Sequence, residues 1–110
     1  MEKITLIVAT EFTDAPGSRD RVDGPHSGEE FFDTLLRARF VKAQEEKKKL
    51  WIDLDNTWGY ASSFISGAFG RLADEFGSKT TLSVLTFKSE DDPTQIEKIV
   101  TEVNKSENHG

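Results

Sequence analysis

The chain contains no cysteine, so neither a disulfide framework nor a thiolate metal site can be built from it, and cytoplasmic residence is the expectation. Histidine is almost as scarce. His26 and His109, the second in a polar tail, are a poor basis for a histidine metal site, and no cofactor is expected. No apolar run approaches the roughly 20 residues that span a bilayer, and Met1-Glu2-Lys3-Ile4-Thr5-Leu6 lacks a signal-peptide pattern. Positive charge is also short. With 14 basic against 20 acidic side chains and a net charge of −6, the surface as a whole is expected to attract neither nucleic acid nor anionic lipid. A protein or small-molecule partner is what these absences leave. No internal repeat or low-complexity tract divides the chain.

What is present fits one domain. A chain of 110 residues buries roughly two thirds of its unfolded surface, enough for a core of its own. Residues 1–103 read as that domain and 104–110 as a polar tail. Ile4 to Ala9 is β-branched and apolar, a first strand. Phe12 to Gly24 is turn-rich, with Pro16-Gly17 and a charged run from Arg19 to Asp23, and reads as a loop or a short edge strand. Ser27-Gly28-Glu29-Glu30 has capping-box spacing, in which the Ser27 hydroxyl accepts from the Glu30 amide and the Glu30 carboxylate reaches back to the Ser27 amide. The helix that follows carries Phe32, Leu35, Leu36, Phe40 and Ala43 on one face and lysines at its end.

Leu50 to Leu54 is a nearly continuous apolar run, as expected of a strand covered on both faces, which would place Trp51 in the core. A second helix runs from about Ser62 to Phe76, with Gly77 as its stop. Its two interior glycines, Gly67 and Gly70, imply close approach by another backbone, because each costs roughly 1 kcal/mol relative to alanine in a helix. Thr80 to Phe87 reads as a third strand. Asp92-Pro93 then opens a last helix with Ile96, Ile99, Val100 and Val103 in a narrow stripe. The expected fold is a small α/β layer structure, mostly parallel, in the order β-α-β-α-β-α with right-handed crossovers.

Two chemistries begin as the segment from Leu50 to Leu72 does. In the first, Asp53, Asp55 and Thr57 form an Asp-x-Asp-x-Thr after a buried strand, the arrangement with which a haloacid-dehalogenase-type phosphotransferase presents its nucleophile. Residues two apart on an extended chain share a face, so both carboxylates can converge on a magnesium-bound phosphate. Lys88 and Asp91-Asp92 would complete that site. Against this, the motif follows a strand and a helix instead of opening the fold, less than half the chain remains after Thr57, and Asp92 is explained as a helix cap.

In the second chemistry the helix start matters. Ser62 and Ser63 stand where a serine caps a helix, satisfying an orphan amide. A phosphate there would sit in the positive field of the helix N-terminus, and roughly −1.5 to −2 added charge can switch a binding surface.

The ordered combination of Pro16-Gly17-Ser18-Arg19, Asp23-Gly24-Pro25-His26-Ser27-Gly28-Glu29-Glu30-Phe31, Ile52 to Thr57, Gly59-Tyr60, Ser62-Ser63-Phe64 and Ala68-Phe69-Gly70 resembles the bacterial STAS-like domain family of unknown function, over about residues 4–87. The resemblance implies a small α/β domain related to anti-sigma-factor antagonists. Those proteins bind a histidine-kinase-like ATPase of the anti-sigma kinase type and are switched by phosphorylation of a serine at the helix start. STAS domains carry Asp-Ser-Ser-Gly or Asp-Ser-Thr-Gly there. This chain has Ala61-Ser62-Ser63-Phe64, so the serines match and their flanks differ.

The expected contact set for a protein partner is Asp55, Asn56, Trp58, Tyr60, Phe64 and Phe69, with Trp58 and Tyr60 as exposed turn aromatics. Ser62 and Ser63 are the phosphorylation candidates. The Gly24 to Phe31 motif, with the capping pair Ser27 and Glu30, has no equivalent in ordinary STAS domains; its His26, with Arg19 and Arg21 before it, can pair with Asp53 or Asp55 or accept a phosphate if the loop folds toward them. A third function, a small-molecule sensor, would use the crevice at the strand ends.

Overall fold

The computed structural model describes residues 3–105, so His109 and the end of the tail lie outside it. Strand β1 (Lys3–Ile7) is shorter than its apolar pattern, because the chain turns at once into the single helical turn α1 (Val8–Glu11). The Glu11 carboxylate accepts from the Ile7 amide at 2.9 Å and from Arg39 at 2.6 Å. This side-chain bond stops the strand before Val8 and Ala9, which extended propensity alone would have included.

The following loop is not an edge strand. It holds one 3-10 turn, Arg21–Asp23, and folds back so that the Gly17 amide donates to the His26 carbonyl at 2.8 Å. Helix α2 (residues 28–46) starts where the capping pattern places it: Ser27 Oγ accepts from the Glu30 amide at 3.0 Å. The return bond differs from expectation. Glu30 Oε1 accepts from the amide of His26, at 3.1 Å, not from Ser27. The left-handed backbone of His26, with φ 57°, accompanies this arrangement.

Strand β2 (Lys49–Asp53) follows a left-handed turn at Lys47. Helix α3 (residues 62–76) ends as read, at Gly77, whose φ is 87°. Both α2 and α3 contain one π-helical turn, Phe32–Leu36 and Ser66–Gly70.

The expected strand from Thr80 is mostly helix. Helix α4 (Ser78–Val84) begins with the Thr81 amide donating to the Gly77 carbonyl at 3.0 Å, and Ser83 Oγ donates back to the Thr80 carbonyl at 2.7 Å. Only Leu85–Lys88 remain for β3, and four residues suffice, because β2 offers only Leu50 to Asp53 for pairing. Helix α5 (Thr94–Lys105) is capped by Asp92, whose Oδ1 accepts from the Thr94 amide at 3.1 Å. It carries Asn104 and Lys105 as helix rather than tail.

The three strands form one all-parallel sheet in the order β1-β2-β3, with Ile7 beside Asp53 and Asp53 beside Lys88. The α/β class is therefore as expected. Burial along β2 alternates, which corrects the expectation of a strand covered on both faces. Leu50 and Ile52 join Leu6, Phe31, Leu36, Phe40, Phe64, Phe69, Leu72 and Ile99 in the fully buried core. The registered row Thr5, Trp51 and Thr86 lies on the other face, so Trp51 is half-buried, with Lys3 Nζ 4.2 Å from its ring centre.

The loop before α2 is wedged against α3 through missing side chains. A Cβ on Gly67 would lie 2.4 Å from the Arg19 carbonyl oxygen, so the expectation of close backbone approach holds there. It does not hold at Gly70, where a Cβ would meet the Glu102 side chain at an ordinary 3.5 Å. Gly28, at the start of α2, is tighter still. Its Cβ would stand 2.3 Å from the Phe64 carbonyl oxygen and 2.9 Å from the Ala68 nitrogen of α3.

Candidate functional site

The ends of β2 and β3 converge on one ammonium. Because Asp53 is registered beside Lys88 and Asp55 is two residues on, both carboxylates face the same lysine. Lys88 Nζ donates to Asp55 Oδ2 at 2.5 Å and lies 3.9 Å from Asp53 Oδ2. Asp55 Oδ1 accepts from the Asp91 amide at 2.9 Å, and Asp91 Oδ2 in turn accepts from the Asn56 amide at 2.8 Å. Asp53 Oδ1 holds the Asp55 amide at 2.9 Å. The turn after β2 is thus locked to the turn after β3.

Asp55 is 3% exposed. Its burial works to raise the carboxyl pKa, but the Asp91 amide and the Lys88 ammonium outweigh it and leave the group below the ordinary carboxylate value. The hydrogen bond from Lys88 to Asp55 correspondingly raises the lysine.

This geometry does not fit a magnesium-assisted phosphotransferase. Both oxygens of Asp55 are engaged by protein donors, and Asp92 is occupied capping α5. Among the described residues no three of His, Cys, Asp or Glu lie together as a metal ligand set. Asp53, Asp55, Lys88 and Asp91 act as a structural lock.

From the lock the chain carries Trp58 out into solvent. Its indole is 88% exposed, while its amide is fixed to the Asp14 carbonyl at 2.8 Å. Tyr60 is not the exposed partner that its turn position implied. It is 3% exposed, its hydroxyl donates to the Leu54 carbonyl at 3.0 Å, and its own carbonyl accepts from Lys98 Nζ at 2.8 Å. Burial pushes the phenol pKa up.

Phe64 and Phe69 also leave the contact set, because both are fully buried. They sit on the face of α3 turned to the core, each with its ring within 6.2 Å of Phe31. Of the expected surface, Asn56 and Trp58 face solvent and Asp55 does not.

Ser62 and Ser63 are both exposed, and neither caps α3: the N-cap residue is Ala61, which has no side-chain bond to give. The two serines differ in surroundings. Ser62 lines a cleft of about 290 Å³ whose far wall, on α5, carries Lys98 and Lys105 beside Glu97 and Glu102.

Arg19, Arg21 and His26 do not reach the acidic turn. Arg19 donates to Ser66 Oγ at 2.6 Å, Arg21 lies 3.5 Å from Asp33, and the His26 ring packs edge-on against Phe12. The loop reaches the turn instead through the backbone bond from Trp58 to Asp14. Unforeseen contributors are Arg71, paired with Asp20 at 2.6 Å, and Lys98 and Gln95 on α5. Gln95 had one signal: it follows the capping Asp92 by three residues, and its Nε2 donates to Asp92 Oδ2 at 2.9 Å.

Among the described residues no helix is long and apolar enough to cross a membrane. No curated protein and no solved structure matches the chain. A family model does, from the capping Ser27 to Gln95. The match starts later than the resemblance read from the sequence and extends further, leaving β1 and the loop before Ser27 outside. It spans more than half of the chain, from α2 through the lock to the first turn of α5, and so the protein belongs to the family described as the STAS-like domain of unknown function.

Proposed function

We propose that this chain is a non-catalytic regulatory module that docks on a protein partner, a histidine-kinase-like ATPase of the anti-sigma kinase type, through the turn around Trp58 and the start of α3. The observation that carries the reading is Trp58: an 88% exposed indole on a turn locked by Asp55, Lys88 and Asp91. Large exposed aromatics on rigid supports are the groups that anchor protein interfaces, because little conformational freedom is lost when they are covered.

Ser62 is the preferred switch. It is exposed, free of a capping role, and faces a cleft with Lys98 and Lys105 in its wall, where Ser63 is not a lining residue. Transfer of the γ-phosphoryl group of ATP to Ser62 Oγ would release ADP and the hydroxyl proton. The phosphate would gain the field of the helix N-terminus and would compete for Lys98, which donates to the Tyr60 carbonyl at 2.8 Å, and Lys105, which lies 3.5 Å from Glu102, while Glu97 and Glu102 limit that gain.

The test is incubation with the kinase-like ATPase and ATP, followed by size-exclusion chromatography and intact mass. A complex weakened by Trp58→Ala and a one-phosphate mass increase lost in Ser62→Ala are expected. No complex and no mass increase would overturn both parts.

A further inference from the structure

A second cleft, of about 230 Å³, opens beside the Leu54–Tyr60 turn at the C-terminal ends of β2 and β3, the edge at which open α/β sheets bind ligands. Its hydrogen-bonding groups are unevenly used. The hydroxyl donors are spent on backbone carbonyls, Thr57 and Tyr60 on Leu54 at 3.5 and 3.0 Å and Ser89 on Asp92 at 2.6 Å, and Gln95 Nε2 spends one N–H on Asp92 Oδ2 at 2.9 Å.

Acceptors are in surplus. Gln95 is only 7% exposed, yet its Oε1 meets no donor among the described residues, which is uncommon for a buried polar atom. Asp91 uses one carboxylate oxygen on the Asn56 amide. Among the described residues no Lys, Arg or His lines the cleft, and the nearby cations are engaged elsewhere, Lys88 by Asp55 and Lys98 by the Tyr60 carbonyl. Trp58, 88% exposed, is one of the residues that line the cleft.

Surplus acceptors, a negative wall and an aromatic face select a flat, donor-rich cation. The guanidinium matches all three, offering five N–H donors in a plane that stacks on an indole. The cleft is also smaller than the roughly 300–1,000 Å³ typical of drug-sized ligand pockets, which suits a single side chain. We propose that it is a socket for an arginine side chain presented by the protein partner. The proposal rests on the docking reading and supplies the chemistry that the docked surface must carry.

Titrating acetyl-arginine amide into the ¹⁵N-labelled full chain should produce saturable NMR shifts at the Trp58 indole N–H and the Gln95 side-chain amide. Acetyl-glutamine amide should not. Asp91→Asn keeps an acceptor for the Asn56 amide while removing the charge, and Trp58→Ala alters an exposed side chain. Each should weaken probe binding about threefold or more, with the remaining spectrum unchanged.

Absence of saturation, or saturation unaffected by both variants, overturns the socket. Tighter binding of putrescine than of acetyl-arginine amide overturns the arginine assignment in favour of a free amine. Partner capture that survives Asp91→Asn but is weakened by Trp58→Ala, without any probe response, removes the socket and leaves docking intact. A probe response without partner capture overturns the protein source alone.

Discussion

The loop of residues 12–27 and the turn of residues 54–60 are each held in one conformation, but by opposite means. The loop is packed by backbone, with carboxylates only at its outer side: Gly28 and Glu29 amides donate to the Ser18 and Arg19 carbonyls at 2.8 and 2.9 Å, and Gly67 admits the Arg19 carbonyl against α3, while Glu29, Glu30 and the Asp20–Arg71 pair tie its surface. The turn is fixed by charge, through Asp55 between Lys88 and the Asp91 amide. Close backbone packing has no titratable part and cannot accommodate a methyl group. A buried carboxylate tolerates changes around it but depends on its proton. The two regions therefore fail under different perturbations, and the candidate interface sits on the one that responds to charge.

The sharpest way to break the backbone-held region is Gly28→Ala. The added Cβ would meet backbone atoms of α3 at 2.3 and 2.9 Å, and backbone cannot rotate aside as a side chain can. Alanine gains at most about 1 kcal/mol in helix propensity, whereas forced overpacking costs about 1–3 kcal/mol and occasionally more. A net loss of about 2 kcal/mol or more is expected, measured by urea unfolding. A loss below 0.5 kcal/mol would show that α2 and α3 can separate freely.

The charge-held region is tested by Asp55→Ala, which strands Lys88 and the Asp91 amide. Lys88 is partly exposed and can recover water, so a loss of about 2 kcal/mol at neutral pH is expected. The folded-state pKa of Asp55 lies below its ordinary value of 3.8. Its contribution is therefore fully present above that value and is lost as pH falls through the lower folded value. The gap in melting temperature between wild type and Asp55→Ala should narrow on acidification below about pH 4. A gap independent of pH would assign the lock to shape instead of charge.

The same contrast explains what could be read from the sequence. Local chemistry was legible: Ser27 accepts from Glu30, Asp92 caps α5, Gly77 ends α3, and the apolar stripes of α2, α3 and α5 do face the core. Features set by distant partners were not. Tyr60 reads as an exposed turn aromatic until Lys98 and the Leu54 carbonyl enclose it; Thr80 to Val84 is a local miss, its β-branched residues reading as strand although Gly77 and Thr80 carbonyls hold them as helix. Arg19 and Arg21 have no sequence signal for Ser66 and Asp33. In the candidate site, spacing brings Asp53 and Asp55 together with Lys88 and Asp91, the groups of the alternative phosphotransferase reading, and Asp55 also stands in the expected partner contact set, because spacing gives convergence and not the identity of what fills it.

A smaller effect, of opposite sign, separates the two interior glycines of α3. At Gly70 a Cβ would meet the Glu102 carboxylate and side-chain carbon at 3.5 and 3.6 Å, ordinary contact distances. Gly70→Ala should therefore raise stability by about 0.5–1 kcal/mol through helix propensity and reduced unfolded-state freedom. A loss instead would mean that α5 presses on α3 as closely as the loop does at Gly67.

The smallest effect on stability belongs to Trp58. Its indole is 88% exposed, and the turn is held by its backbone amide and by the Asp55 lock, neither of which needs the side chain. Trp58→Ala should change unfolding free energy by no more than about 0.5 kcal/mol. An anchor residue covered by a partner would instead lose about 2 kcal/mol or more of binding on truncation. Chemical denaturation and partner titration on the same variant separate the two quantities. A large stability loss would mean that the indole supports the turn from within, and Trp58 would then be a structural residue like Tyr60.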